Sequence, residues 1–109
     1  MPEIDVASLA SRHAEGVPVI DVREPAEFAA GRVPGAQHIP LSELVERIDE
    51  VPSAGTVYVI CARGGRSARA VQHFRSLGID AVNVAGGTIG WIEAGLPTDA
   101  DLGSEAGSM

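Results

Sequence analysis

The sequence predicts a single α/β domain in which helices cover both faces of a parallel sheet. Short apolar segments alternate with amphipathic segments along the 109 residues, as they do in chains that follow each strand with a helix. The strongest strand signal is the run at 56–60, which is β-branched and aromatic throughout. Hydrophobic residues make up 45% of the chain and aromatic residues only 4%, so aliphatic side chains and alanine must fill the core.

Each predicted element has a local reason in the sequence. Asp5 can cap the first helix and Gly16 can end it, while Pro25 suits the first turn of the second helix. The predicted elements, in chain order, are a short edge strand at 3–4, a helix at 6–15, a strand at 17–22, a helix at 25–30, a strand at 37–39, a helix capped by Ser42 that presents Leu44, Val45 and Ile48, a strand at 56–60, a helix at 67–77 with Ala70, Val71, Phe74 and Leu77 on its apolar face, a strand at 81–84, and a short helix around Trp91.

The domain is expected to span residues 1–97. Residues 98–109 are small and acidic, contain Gly and Ser, and show no apolar periodicity. We therefore expect 98–109 to form a disordered C-terminal tail.

The composition excludes several classes of function. The net charge is −7 and all eight basic residues are arginine, which argues against non-specific nucleic-acid binding and removes Schiff-base chemistry on lysine. One cysteine allows no internal disulfide, and three scattered histidines lack metal-ligand spacing, so neither a metal nor a cofactor is expected. The N-terminus has no secretory pattern, and the longest apolar run, 57–62, is too short for a bilayer. The default expectation is a cytoplasmic monomer without a membrane partner.

The loop after the 56–60 strand carries the predicted chemistry. A buried strand ends at Cys61, a short loop containing Gly64 and Gly65 follows, and a helix then begins. A free cysteine with a pKa of ~8.5 is only about 3% thiolate at neutral pH, and a helix N-terminus with nearby cations can lower that pKa to ~3.5–7.5. Because the helix dipole alone falls short, the loop amides and the charges of Arg63 and Arg66 are also needed. Arginines in a first helical turn oppose the dipole, which suggests an anion site beside the thiolate.

Simpler interpretations stand beside these. A lone cysteine is commonly a small buried core residue, although the position of Cys61 before an Arg/Gly loop argues against that reading. Asp21 and Arg23 either border the pocket or form an ion pair that holds their segment in place, and we favour the ion pair. Glu24 and Glu27 are better explained as a solvated, capped helix start than as an acid–base pair.

The sequence resembles the rhodanese-like domain family over about residues 3–97, with three motifs in the expected order. The motifs are Asp-Val-Arg-Glu-Pro-Ala-Glu-Phe at 21–28 with Gly-Arg-Val-Pro-Gly-Ala-Gln-His-Ile-Pro at 31–40, Cys-Ala-Arg-Gly-Gly-Arg-Ser at 61–67, and Val-Ala-Gly-Gly at 84–87 with Trp91. The first is similar to the family's N-terminal signature, the second to its active-site loop, and the third to its closing motif.

The resemblance implies a five-stranded parallel sheet flanked by helices and the activity of a thiosulfate sulfurtransferase. Cys61 would be the nucleophile, which takes the outer sulfur of thiosulfate or of a persulfide donor and passes it to cyanide or to a thiol. The acceptor must be external because the chain has no second cysteine. By the same resemblance, backbone donors come from the loop and a sulfonate contacts its arginines, which gives the substrate-binding set Ala62, Arg63, Gly64, Gly65 and Arg66.

Other functions remain open at this level. One is a sulfur-relay or persulfide-binding module that acts only with a protein partner, and Cys61 is equally necessary there. A phosphatase or arsenate reductase is disfavoured, because related cell-cycle phosphatases use a loop one residue longer than the six residues from Cys61 to Arg66. A non-catalytic binding module would not need the cysteine.

Overall fold

The computed structural model describes residues 1–101, and in that part of the chain it contains five strands, four α-helices and two 3₁₀ turns. The strands are β1 (Glu3–Ile4), β2 (Val19–Asp21), β3 (Gln37–His38), β4 (Val57–Ile60) and β5 (Ala81–Val84). The helices are α1 (Val6–His13), α2 (Pro25–Ala30), α3 (Gly65–Ser76) and α4 (Gly87–Glu93), and the 3₁₀ turns are Leu41–Glu43 and Ile48–Glu50.

The strands form one parallel sheet in the order β1-β5-β4-β2-β3, with β4 at its centre. All four residues of β4 are buried, because successive side chains point to opposite faces and both faces are covered. Val57 and Val59 lie in a cluster with the apolar side of α3, whereas Tyr58 and Ile60 lie in a second cluster with α1 and α4. The predicted five-stranded parallel sheet with helices on both faces is confirmed.

The local signals that start and stop the first helices act as predicted. The Asp5 side chain accepts a hydrogen bond of 2.8 Å from the backbone N–H of Ser8 at the start of α1. Gly16 follows α1 with a φ of +84°, a conformation that an L side chain rarely adopts. Pro25 occupies the first turn of α2, where its missing N–H has no helical partner to lose.

The helix predicted after Ser42 is wrong. The segment forms two short 3₁₀ turns instead, and Val45, which was placed on the apolar face, is 72% exposed. The physical reason lies at the start of the segment, where the N–H of Leu41 donates to the carbonyl of Val22 as an extension of the sheet. Only a tight, irregular path then brings Leu44 and Val51 back into the core.

The predicted apolar face of α3 needs one correction. Ala70, Val71 and Phe74 are buried as expected, but α3 ends at Ser76 and Leu77 is 54% exposed. The chain leaves the helical path at Leu77, so the three- and four-residue spacing no longer decides which side chain faces the sheet. Ile79 packs against that cluster instead.

The first residues of the predicted tail contact the domain. Asp99 forms an antiparallel bridge with Arg32, the Arg32 guanidinium donates to the Asp101 carboxylate at 2.8 Å, and the N–H of Asp101 donates to the carbonyl of Ala29. The part of the tail at 102–109 lies outside the described residues. No helix within residues 1–101 has both the length and the apolar character needed to cross a membrane.

The contrast between Phe74 and Leu77 can be measured. Phe74→Ala should lower the free energy of unfolding by about 3–5 kcal/mol, because the side chain is fully buried and leaves a cavity. Leu77→Ala is the matched control and should lower it by less than about 1 kcal/mol, since Leu77 is 54% exposed and leaves no enclosed cavity. Urea denaturation followed by circular dichroism measures both. A similar loss in the two variants would contradict this placement of the helix end.

Candidate active site

Cys61 directly follows the central strand β4, at the carboxyl end of the sheet. In open parallel sheets this edge is where ligands bind. Only 2% of Cys61 is exposed, which would also fit the simple core interpretation, and its side chain belongs to the cluster under α3. The polar contacts of its sulfur distinguish it from an ordinary core cysteine.

The Cys61 sulfur receives hydrogen bonds from the loop and from α3. The backbone N–H of Gly64 donates to Sγ at 3.0 Å and the Ser67 hydroxyl lies 3.3 Å from it. Burial by itself raises the pKa of the thiol, but hydrogen bonds from the Ser67 hydroxyl and from the amides of Ser67, Gly64 and Arg63 outweigh it. The pKa of Cys61 therefore lies below its ordinary value, which favours the nucleophilic thiolate.

The loop amides face the sulfur because the start of α4 holds the loop carbonyls on the other side. In a trans peptide the C=O and the following N–H point in opposite directions, so a carbonyl held outward turns the next N–H inward. Three consecutive loop carbonyls are held in this way. The bonds run from Thr88 N–H to Cys61 O (2.8 Å), from Ile89 N–H to Ala62 O (3.0 Å), and from Gly86 N–H to Arg63 O (3.2 Å).

Gly87 makes this close approach possible. Its φ is +59°, and a Cβ added there would lie 2.6 Å from the carbonyl oxygen of Cys61 and closer still to that of Ala62. Real Cβ atoms do not approach carbonyl groups so closely, so a side chain at Gly87 would push the loop away from α4. This contact is not evident from the sequence, because the partner of the glycine is distant along the chain.

The two loop arginines differ in their surroundings. The Arg66 guanidinium makes two hydrogen bonds, of 2.7 and 2.9 Å, to the carboxylate of Glu27 on α2, and both side chains are 35% exposed. This pairing lowers the pKa of Glu27 to about 2. Glu27 also accepts a hydrogen bond of 3.0 Å from the backbone N–H of Glu24 and so helps to cap α2, as the sequence predicts, but its pairing with Arg66 goes beyond a solvated helix start. Arg63 is exposed and forms no ion pair within residues 1–101.

Asp21 and Arg23 form a buried ion pair at the end of β2, next to the loop-bearing strand. The Arg23 guanidinium donates to both carboxylate oxygens of Asp21, at 2.9 and 2.7 Å, and also to the carbonyl of Gly31 at 2.8 Å. Removal of either partner would leave an uncompensated buried charge. A role for the pair at the border of the pocket stays a prediction.

Ser67 and Asn83 were not identified as site residues from the sequence. Ser67 is buried against the sulfur, and its hydroxyl lies 2.5 Å from Oδ1 of Asn83 on β5. A signal was available, since an asparagine inside the otherwise apolar strand β5 must find a buried polar partner. Within residues 1–101 no group of three His, Cys, Asp or Glu side chains is placed to hold a metal ion.

Gly87 can be tested through the reactivity of the thiol. Gly87→Ala should slow alkylation of Cys61 by iodoacetamide at neutral pH by about tenfold, because displaced amides no longer stabilise the thiolate and each unit of thiol pKa is worth a factor of ten. Gly90→Ala is the matched control on α4, where an added Cβ meets only the Val6 side chain at 3.4 Å. An unchanged rate in folded Gly87→Ala protein would mean that the loop tolerates the side chain.

The chain is similar to known proteins over most of its length. Residues 5–94 match the model of the rhodanese-like domain. The chain is 38% identical over 104 residues to a sulfurtransferase of Allochromatium vinosum, across 93% of this chain and 97% of that protein. It is 33% identical over 94 residues to YrkF of Bacillus subtilis, whose name proposes a sulfur carrier; the match covers 84% of this chain and 51% of YrkF.

Solved structures give the same result. The crystal structure of a rhodanese-related protein from Thermoplasma volcanium superposes with a TM-score of 0.85 at 38% identity, covering 91% of this chain and 98% of that one. A rhodanese-like domain protein from Staphylococcus aureus superposes with a TM-score of 0.79 at 35% identity, covering 84% of this chain and 91% of that one. A thiol at the end of the central strand, enclosed by loop amides, together with these matches shows that the chain belongs to the rhodanese-like domain family.

Proposed function

We propose that the protein is a sulfurtransferase that carries a sulfane sulfur on Cys61 from thiosulfate or a persulfide donor to cyanide or an external thiol. The observation that carries this proposal is the set of hydrogen-bond donors around a single thiol. N–H and O–H groups that converge on one sulfur stabilise a negative charge there, and negative charge is present on sulfur at every stage of such a transfer.

The reaction consists of two displacements on sulfur. The Cys61 thiolate attacks the outer sulfur of thiosulfate, the bond from that sulfur to the sulfonate breaks, and its electron pair leaves with sulfite. The product is a persulfide anion on Cys61. Cyanide or a thiolate then attacks the outer sulfur, and the pair of the breaking S–S bond returns to Sγ of Cys61. The thiolate is regenerated, and no external oxidant, reductant or metal takes part.

Arg63 is the better candidate for contact with an anionic donor. The charge of Arg66 is already compensated by Glu27, whereas Arg63 is exposed on the same loop without an ion pair in the described part of the chain. The loop amides take the transferred sulfur in this proposal, and the Arg63 guanidinium takes the sulfonate oxygens.

A relay function is the second candidate. The resemblance to YrkF, whose name proposes a sulfur carrier, favours a form of the same chemistry in which a protein persulfide is the donor or a protein thiol the acceptor. Cys61 would carry the sulfur in the same way, but thiosulfate turnover would be slow. A lone reactive thiol must stay reduced to act, which supports a reducing compartment such as the cytoplasm as its place of action.

The intermediate provides the direct test. Incubation of the reduced protein with thiosulfate, or with a low-molecular-weight persulfide, should add the mass of one sulfur atom, which intact-mass spectrometry detects. Cyanide should then remove that mass and release thiocyanate. Cys61→Ser is the matched control and should gain nothing while it keeps the same circular dichroism spectrum. If the wild-type protein gains no mass from either donor, covalent sulfur transfer is excluded. A gain from the persulfide alone would favour the relay function.

The donor contact has its own test. Arg63→Ala should raise the KM for thiosulfate severalfold and leave transfer from a persulfide donor that carries no sulfonate nearly unchanged, because only the sulfonate needs the cation. Arg69→Ala is the matched control, since Arg69 is exposed on the second turn of α3 and lies outside the loop. Equal effects of the two substitutions on KM would point to the general electrostatic field rather than to a contact made by Arg63.

A further inference from the structure

The Ser67 hydroxyl has two acceptors and one proton to offer them. Its oxygen lies 2.5 Å from Oδ1 of Asn83 and 3.3 Å from Sγ of Cys61. A hydroxyl donates one hydrogen bond, so these two contacts cannot both be donated by Ser67 at the same moment. A thiol sulfur is a weak acceptor and an amide oxygen a strong one, so the hydroxyl hydrogen lies on the Asn83 side while Cys61 carries its S–H, which can in turn donate to the Ser67 oxygen.

The side chain of Asn83 is fixed so that an oxygen faces Ser67. Its Nδ2 donates to Oε2 of Glu3 on β1 at 2.9 Å and to the carbonyl of Gly64 at 3.2 Å. A flipped amide would place its oxygen against a carboxylate and a carbonyl, both of which are acceptors only. Asn83 is 1% exposed, so water does not replace these partners. The acceptor that competes for the Ser67 proton is therefore built into the fold.

We propose that Asn83, oriented by Glu3 and the Gly64 carbonyl, is a positioning residue that holds the Ser67 hydroxyl away from Cys61 until the sulfur becomes a thiolate. A thiolate is a charged acceptor, and it draws the hydroxyl away from the neutral amide oxygen. Asn83 Oδ1 then has no donor. Asn83 consequently stabilises every state of Cys61 except the thiolate, and the strength of the Ser67 hydrogen bond to sulfur follows the charge on Sγ.

The consequence for sulfur transfer rests on the proposed function. In the persulfide the negative charge is on the outer sulfur, so the Ser67 hydroxyl remains with Asn83. When an acceptor attacks the outer sulfur and the S–S bond breaks, the electron pair returns to Sγ and the hydroxyl turns to it. Ser67 thus stabilises the leaving thiolate, while Asn83 stabilises the persulfide. No proton changes its covalent partner in this exchange.

Other charged groups surround Cys61 and remain in place in the test below. Arg63 and Arg66 lie on its own loop, and Glu27 of α2 acts on it through Arg66. Beyond these, the Asp21–Arg23 pair ends β2 and His38 of β3 bonds to the carbonyl of Arg23, whereas Glu3 reaches the sulfur only through Asn83.

The test is the pH dependence of Cys61 alkylation by iodoacetamide, measured without any sulfur donor. Ser67→Ala should raise the pH midpoint by about one unit, because it removes a hydrogen bond to the thiolate. Asn83→Leu should lower the midpoint by about half a unit, because it removes the competing acceptor. A merely structural role for Asn83 predicts the opposite sign, since a disordered loop loses its amides. An unchanged or raised midpoint in Asn83→Leu overturns the proposal.

A double-mutant cycle shows whether Asn83 acts through Ser67. Without the hydroxyl there is nothing to compete for, so Ser67→Ala/Asn83→Leu should have the same midpoint as Ser67→Ala alone. If Asn83→Leu shifts the midpoint by the same amount with and without the Ser67 hydroxyl, the proposal is overturned. Glu93→Gln is the matched control: it removes an exposed carboxylate at the end of α4, outside the network of Glu3, Asn83, Ser67 and Cys61, and should leave the midpoint unchanged.

Asn83→Asp covers the case in which the leucine variant does not fold. The carboxylate should hold the Ser67 hydroxyl more strongly and raise the midpoint, and this rise should shrink in the Ser67→Ala background. A rise that is independent of Ser67 overturns the proposal. These measurements need no sulfur transfer, so they can fail while the mass test of the Cys61 persulfide succeeds, and the reverse also holds.

Discussion

The chemistry of this domain depends on which way three peptide groups point. The backbone N–H groups at the start of α4 donate to the carbonyls of Cys61, Ala62 and Arg63 rather than to the sulfur. The loop amides are thereby left free to face Sγ. Oriented amides cost nothing to reorganise when charge appears, which is why a preorganised loop stabilises a thiolate better than water does. Gly87 is the residue that permits the contact between the two segments.

The charges around the loop are compensated to different degrees. Burial raises the pKa of Cys61, and the hydrogen-bond donors lower it by more, so an enclosed loop also has to be polar. Arg66 in the first turn of α3 opposes the helix dipole, and the carboxylate of Glu27 compensates it from a separate helix. Because that compensation is local, Arg63 is the loop arginine without an ion pair among residues 1–101.

Much of the fold could be predicted because its signals are local. Asp5 and Gly16 bound α1 by contacts within a few residues, and the apolar run of β4 indicates a strand buried on both faces. Val45 and Leu77 were misplaced because periodicity describes a regular helix and says nothing about where that helix gives way to a turn. In both cases the tertiary path of the chain decided the exposure of the side chain.

The same distinction between local and distant contacts applies to the candidate site. Cys61 and its loop are contiguous in the sequence, so their pattern alone indicated a reactive thiol at the end of a strand. Asn83 bonds to Gly64 from 19 positions away and Glu27 to Arg66 from 39, whereas Glu3 bonds to Asn83 from 80 positions away. No spacing rule connects these residues. Their roles follow from strand order and helix docking, which bring distant segments to one end of the sheet.

The two edges of the sheet have a consequence for the behaviour of the protein in concentrated solution. Both edge strands, β1 and β3, are only two residues long. An edge this short offers very few free N–H and C=O groups to a neighbouring chain, so it is a poor template for the strand-by-strand aggregation that exposed parallel sheets invite. Many proteins guard such edges with lysine, which this chain lacks altogether. Here the shortness of the two edge strands provides the protection instead.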